Sequence, residues 1–112
     1  MLRNIFDLND DEIVYLHGNC DEWVKENFKT GDIIMAILDY DLQTFGSGLT
    51  HCFIKRGDEY IDVRGNETDY YTFINEFESF KTSRRKVIEI VTLHEFEAYL
   101  EEWVILREAS EN

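Results

Sequence analysis

Cys20, His51 and Asp62 are the residues of this chain whose types suit covalent chemistry. A cysteine attacks carbonyl carbon as its thiolate, and an imidazole beside it can take the thiol proton and later return it to a leaving group. A carboxylate on the second ring nitrogen fixes the tautomer and favours the imidazolium. His51 and Asp62 stand in THCFIKRGDEYIDVRG, residues 50–65, and Cys20 in HGNCDEWV, residues 17–24.

The elements around them decide whether they can meet. HCFIKR and EYIDVR read as two strands joined at Gly57-Asp58, and a two-residue loop there sets Arg56 opposite Glu59. In that register His51 faces Arg64, Phe53 faces Asp62, and His51 and Asp62 are diagonal neighbours on one face, roughly 7–8 Å apart at Cα. Tyr60 and Arg64 share this face and are cleft candidates. Cys52, Ile54, Ile61 and Val63 fall on the other face, an apolar set suited to a core. Cys52 thus points away from His51, and the better nucleophile is Cys20. Asn19 and Glu22 have the spacing of a capping box, so a helix should open at Cys20 and run to about Phe28. Its first-turn amides favour a thiolate, Asp21 and Glu22 oppose it, and His51 is expected to supply most of the stabilisation.

A short helix is expected over 9–16. Thr30-Gly31-Asp32 breaks the Cys20 helix, and IIMAILDYD forms a mostly buried strand from Ile33 to about Tyr40. The stretch from Gln43 to Leu49 has no periodicity and reads as flexible. Residues 71–80 read as a helix and 86–92 as a strand. Thr92 and Glu95 have capping-box spacing and open a last helix with Phe96, Tyr99, Leu100, Trp103, Val104 and Leu106 on one face; Ala109 to Asn112 should fray. With no proline, linker or repeat, residues 1–112 are expected to form a single α+β domain: an antiparallel sheet packed against an N-terminal helix bearing Cys20 and a C-terminal helix.

Hydrophobic residues make up 44% of the chain, enough to offset the entropy of folding. The formal charge of −13 repels phosphate backbones and anionic lipid, so neither direct nucleic-acid binding nor a membrane is expected. Two cysteines and the absence of an apolar leader in MLRNIFDLNDDE point to free thiols in the cytoplasm, where the Asn66-Glu67-Thr68 sequon is without meaning. No cofactor or metal is expected. His17-x2-Cys20 and His51-Cys52 carry zinc-binding residue types, but adjacent strand residues do not converge on one ion. His94-Glu95 lacks a second histidine at Ala98, and Arg56-Gly57-Asp58 is explained as turn chemistry.

A cysteine opening a helix, Gly31-Asp32 leading into a strand, and a histidine strand followed by a turn and Tyr60-Ile61-Asp62-Val63-Arg64-Gly65 resemble the papain-like cysteine peptidase and amidase superfamily, including NlpC/P60-like domains and small bacterial and phage proteins. The resemblance covers residues 17–65. It implies a papain-like minimal core with Cys20 as nucleophile, His51 as general base and Asp62 as its orienting group. The activity implied is a thiol hydrolase or acyltransferase on a peptide, isopeptide or side-chain amide. HGNC differs from the DCSG of typical members, and no upstream oxyanion-hole glutamine matches, so Asn19 and the Cys20 backbone N–H are the expected oxyanion donors.

The acidic surplus supports an alternative: a non-catalytic interaction protein, such as a phage-type inhibitor of a basic host enzyme or a nucleic-acid mimic, that keeps the scaffold without its chemistry.

Overall fold

The computed structural model describes residues 2–17, 19–41, 46–78 and 85–111. A 3-10 turn (Ile5–Asp7) precedes two helices, α1 (Asp10–His17) and α2 (Cys20–Asn27). The strands β1 (Ile33–Asp41), β2 (Gly46–Arg56), β3 (Glu59–Asp62) and β4 (Gly65–Glu67) follow; then come α3 (Tyr70–Glu78), β5 (Arg85–Ile90) and α4 (Leu93–Glu111). The strands form one antiparallel sheet in the order β4-β3-β2-β1-β5, so the fold is α+β. Among the described residues no helix is long and apolar enough to cross a membrane.

Alternation along the central strands sends side chains to two cores. On one face Ile34, Ala36 and Leu38 of β1 and Cys52 and Ile54 of β2 meet Cys20 and Val24 of α2 and Phe96 and Leu100 of α4. On the other, Met35, Ile37 and Phe53 meet Leu8, Leu16, Phe73 and Ile74, which come from α1, the segment before it, and α3. Phe53, Phe73 and Phe96 are fully buried, and burying such a ring stabilises by roughly 1.5–3 kcal/mol. The face that carries His51 is therefore a second core, and the expected division into an open chemical face and a packing face does not hold. Since Leu16 packs in one core and Cys20 in the other, the chain changes sides of the sheet between α1 and α2.

The hairpin at Gly57-Asp58 has the expected register, with Arg56 opposite Glu59, Lys55 opposite Tyr60 and Ile54 opposite Ile61. Gly57 has φ +62°, the left-handed conformation that this tight turn requires. The second strand, however, is shorter than EYIDVR: β3 stops at Asp62, Val63 and Arg64 turn, and β4 pairs back from Gly65 at φ +125°. Val63 packs with the second core, on the side opposite to the one expected.

β2 is also longer than expected. It begins at Gly46, so Gly46 to Leu49, read as flexible from sequence, are strand; residues 42–45 lie outside the described ones. Opposite β1, Ile37 pairs with His51 and Leu38 with Leu49, which leaves Thr50 as the extra residue of a bulge. The bulge shifts the alternation by one residue, so Leu49 packs with the same core as Cys52.

Two local signals took different forms. The capping box at α2 is not made, because Asn19 forms no side-chain cap, whereas Asn9 and Glu12 make one at α1, with amide-to-side-chain bonds of 3.1 and 2.9 Å. At α4 the Thr92 hydroxyl accepts from the Glu95 amide at 3.1 Å. Phe96 and Leu100 are buried there as expected, but Tyr99 is exposed, and the side chains of Trp103, Val104 and Leu106 lie outside the described residues. Asp32 has a structural post. It receives both Nε and Nη2 of Arg56, at 2.9 and 2.7 Å, and the Lys29 amide at 2.8 Å, clamping the start of β1 to the end of β2. Arg56 beside it holds the Asp32 carboxyl below its usual pKa.

Candidate active site

Asp62 ends β3 just before the turn, and the turn folds Arg64 back onto it. Its Oδ1 accepts from the Arg64 amide at 2.8 Å and from Arg64 Nε at 3.1 Å; Oδ2 accepts from Arg64 Nη2 at 2.8 Å. The guanidinium also donates to the Phe73 carbonyl at 2.9 Å and lies over the Phe73 ring, 4.7 Å from its centre. Nε2 of His51 stands 2.9 Å from Oδ2 of the same carboxylate. His51, Asp62 and Arg64 are all buried, at 0%, 3% and 1% exposure. Burial drives the Asp62 carboxyl upward, but the bonds from His51 and Arg64 outweigh it and leave its pKa below the ordinary value.

The β2–β3 ladder begins at Ile54–Ile61, so the edge of β2 from Phe53 back to His51 lies beyond the pairing with β3. Here α2 delivers Cys20. Cys20 shares the buried cluster of Cys52, and its ionisation is influenced by the Cys52 thiol and amide and by His51. The Cys20 pKa is pulled down to about 5, first by the Cys52 thiol, then, against the opposing cost of burial, by the His51 hydrogen bond and charge and by the Cys52 amide. His51 moves in the complementary direction. Burial favours its neutral form, yet Asp62 and then Cys20 together raise its pKa above the ordinary value. Since Nε2 is engaged by Asp62, Nδ1 is the ring nitrogen left for proton exchange.

His51 of β2 and Asp62 of β3 are thus in direct contact, and Cys20 of α2 is linked to them through its influence on the ionisation of His51. The other expected site residues behave differently. Arg64 is the carboxylate's buried partner and lines no open cleft. Tyr60 is half-buried in the second core, its ring centre 6.2, 5.3 and 6.0 Å from those of Phe53, Tyr70 and Phe73. Asn19 is exposed, and its carbonyl accepts the Glu22 and Trp23 amides at 3.1 and 3.2 Å. The first-turn amides of Cys20 and Asp21 have no acceptor within the helix, which makes them the local donors for an oxyanion.

Sequence reasoning missed Cys52 and the tie between Arg64 and Asp62. Cys52 does point away from His51, but α2 packs on its side of the sheet, so it meets Cys20 directly. Gly65 was the available sign that the strand turns after Asp62. Among the described residues no group of three or more histidine, cysteine, aspartate and glutamate side chains is gathered to hold a metal ion.

No protein-family model matches the chain, and neither the curated proteins nor the solved structures yield a match.

Proposed function

We propose that the protein is a cysteine-dependent hydrolase or acyltransferase of papain-like type acting on a peptide, isopeptide or side-chain amide. The observation that carries this reading is the convergence of a thiol at a helix start, an imidazole and a carboxylate from three separate elements, with the thiol pKa drawn down to about 5. The Cys20 thiolate attacks the amide carbon, and the first-turn amides receive the developing oxyanion. His51 carries the thiol proton, supported through Nε2 by Asp62, and gives it to the leaving nitrogen as the tetrahedral adduct collapses to a thioester. Water or an amine then releases the acyl group, and Cys20 returns to its starting state.

The test is site-resolved alkylation by iodoacetamide followed by exposure to a panel of peptide and side-chain amides, with acyl adducts read by intact mass. Fast alkylation of Cys20 near neutral pH, slowed by His51→Ala, together with an acyl adduct on Cys20, is the expected result. Slow alkylation indifferent to His51 would overturn the reading.

One observation favours a second reading. Cys20 is only 6% exposed and His51 is fully enclosed, as befits a buried polar network that holds the fold of a non-catalytic acidic binding protein. With a charge of −13, such a protein would take a basic partner, and capture of that partner would weaken steeply with salt.

A further inference from the structure

The two cysteines of the chain, 32 residues apart in sequence, share one buried cluster under α2 and α4. Both are free, buried thiols of that cluster, and each acts on the other's ionisation. Cys20 sits at the start of α2 at 6% exposure, whereas Cys52 lies deeper at 1%. The pair is therefore ordered, with an outer sulfur beside an imidazole and an inner one in contact with it. We propose that Cys20 and Cys52 form a peroxide-reactive pair, in which Cys20 is oxidised by a hydroperoxide and Cys52 resolves it to an intramolecular disulfide.

The chemistry balances without any further group. The Cys20 thiolate attacks the outer oxygen of the hydroperoxide, the O–O bond breaks, and Cys20 becomes a sulfenic acid while the departing alkoxide takes the proton of the His51 imidazolium. Sulfur is oxidised by two electrons and the peroxide is reduced to an alcohol, or to water where the oxidant is hydrogen peroxide. The Cys52 sulfur then attacks the sulfenic sulfur, an S–S bond forms, and the departing hydroxyl leaves as water with the Cys52 proton. Burial and the neighbouring Cys20 thiolate both keep Cys52 protonated. Conversion of Cys20 to a neutral sulfenic acid removes the second of these influences, so the first oxidation prepares the second step. A small hydroperoxide suits so enclosed a sulfur better than a bulky disulfide oxidant. The inference uses the Cys20–His51 pair but needs no amide substrate.

The test is titration of the full chain with hydrogen peroxide, followed by non-reducing peptide mapping and intact mass. The expected product is a monomer lighter by two hydrogens, with a Cys20–Cys52 linkage, loss of Cys20 alkylation, and recovery of both thiols on adding dithiothreitol. In Cys52→Ser the sulfenic acid should persist and take up dimedone at Cys20; in Cys20→Ser, Cys52 should stay reduced. Accumulation of sulfinic or sulfonic acid on Cys20 of the unaltered chain, or a disulfide only between two chains, would overturn the proposal. If Cys20 alkylates in a His51-dependent way but no internal disulfide forms, the thiol pair fails and the amide reading stands. An internal disulfide without any acyl adduct leaves the thiol pair and removes the amide reading.

Discussion

Nε2 of His51 lies 2.9 Å from Oδ2 of Asp62, and the same oxygen receives Nη2 of Arg64 at 2.8 Å. One buried carboxylate is thus shared between an imidazole and a guanidinium. That sharing sets the expected behaviour of all three groups.

Asp62→Asn should lower the His51 pKa, since the carboxylate helps to raise it. A histidine raised above its usual 6.5 adds stability that is complete below that value and is lost as pH rises through the folded pKa. The unaltered protein should therefore lose this contribution on the alkaline side, and the variant should have little of it to lose. The depressed Asp62 works in the other direction, stabilising above the usual carboxylate value and losing its effect as pH falls through the folded pKa. Ring-proton titration of His51 by NMR and urea unfolding across pH check both signs.

Arg64→Met removes the carboxylate's main partner from a fully buried site and should destabilise by about 3–5 kcal/mol, the usual loss when one member of a buried ion pair is taken away. Arg64→Lys keeps the charge but not the fork, and should fall between the two proteins. Urea midpoints at constant slope measure it.

Cys52→Ala should move the pH profile of Cys20 alkylation upward from its midpoint of about 5, because the Cys52 thiol is the foremost cause of the low value. Wherever the pH lies below both midpoints, a midpoint higher by one leaves about tenfold less thiolate to react. Cys52→Ser keeps a donor and should move the profile less. His51→Ala should move it in the same direction, and the combination should exceed either alone.

Gly57→Ala should cost about 1–2 kcal/mol from backbone strain alone, since φ is +62° and a Cβ there would meet nothing within 4 Å. Gly57→Asn should cost less, because asparagine tolerates this conformation better. Thermal unfolding of the two variants ranks them.

Much of the site was legible because hairpins obey local rules. Gly57-Asp58 specifies a tight turn, the turn specifies the register, and the register brings His51 and Asp62 to one face. The helix at Cys20 follows from an equally local pattern, whereas the pairing of β5 with β1 joins segments about fifty residues apart. What remained hidden depends on long-range packing. That α2 and α4 cover the Cys52 face, while α1 and α3 cover the His51 face, is decided by where whole helices dock, and no spacing within β2 records it. The role of Cys52 was therefore invisible, and so was the enclosure of His51. The bulge at Thr50 has no glycine or proline at that position to announce it, and it returns Leu49 to the first core. The capping boxes teach a similar lesson. Asn9/Glu12, Asn19/Glu22 and Thr92/Glu95 share a spacing, yet in the second the asparagine makes no side-chain cap.

The segment before α1 is also tied to the site. Leu2 bridges to Gly65, the Arg3 amide donates to the Arg64 carbonyl at 2.8 Å, and the Arg3 guanidinium reaches the Val63 carbonyl at 2.8 Å and Glu12. These contacts brace the turn that follows Asp62 from sixty residues earlier in the chain. During synthesis, residues 2 and 3 emerge long before the turn they hold, and they must wait in solution until it arrives. Closing so long a loop carries an entropic cost that early local structure cannot repay. The carboxylate's setting is thus completed late in folding, and a nascent chain that already holds Cys20 and His51 does not yet hold the braced group that orients them.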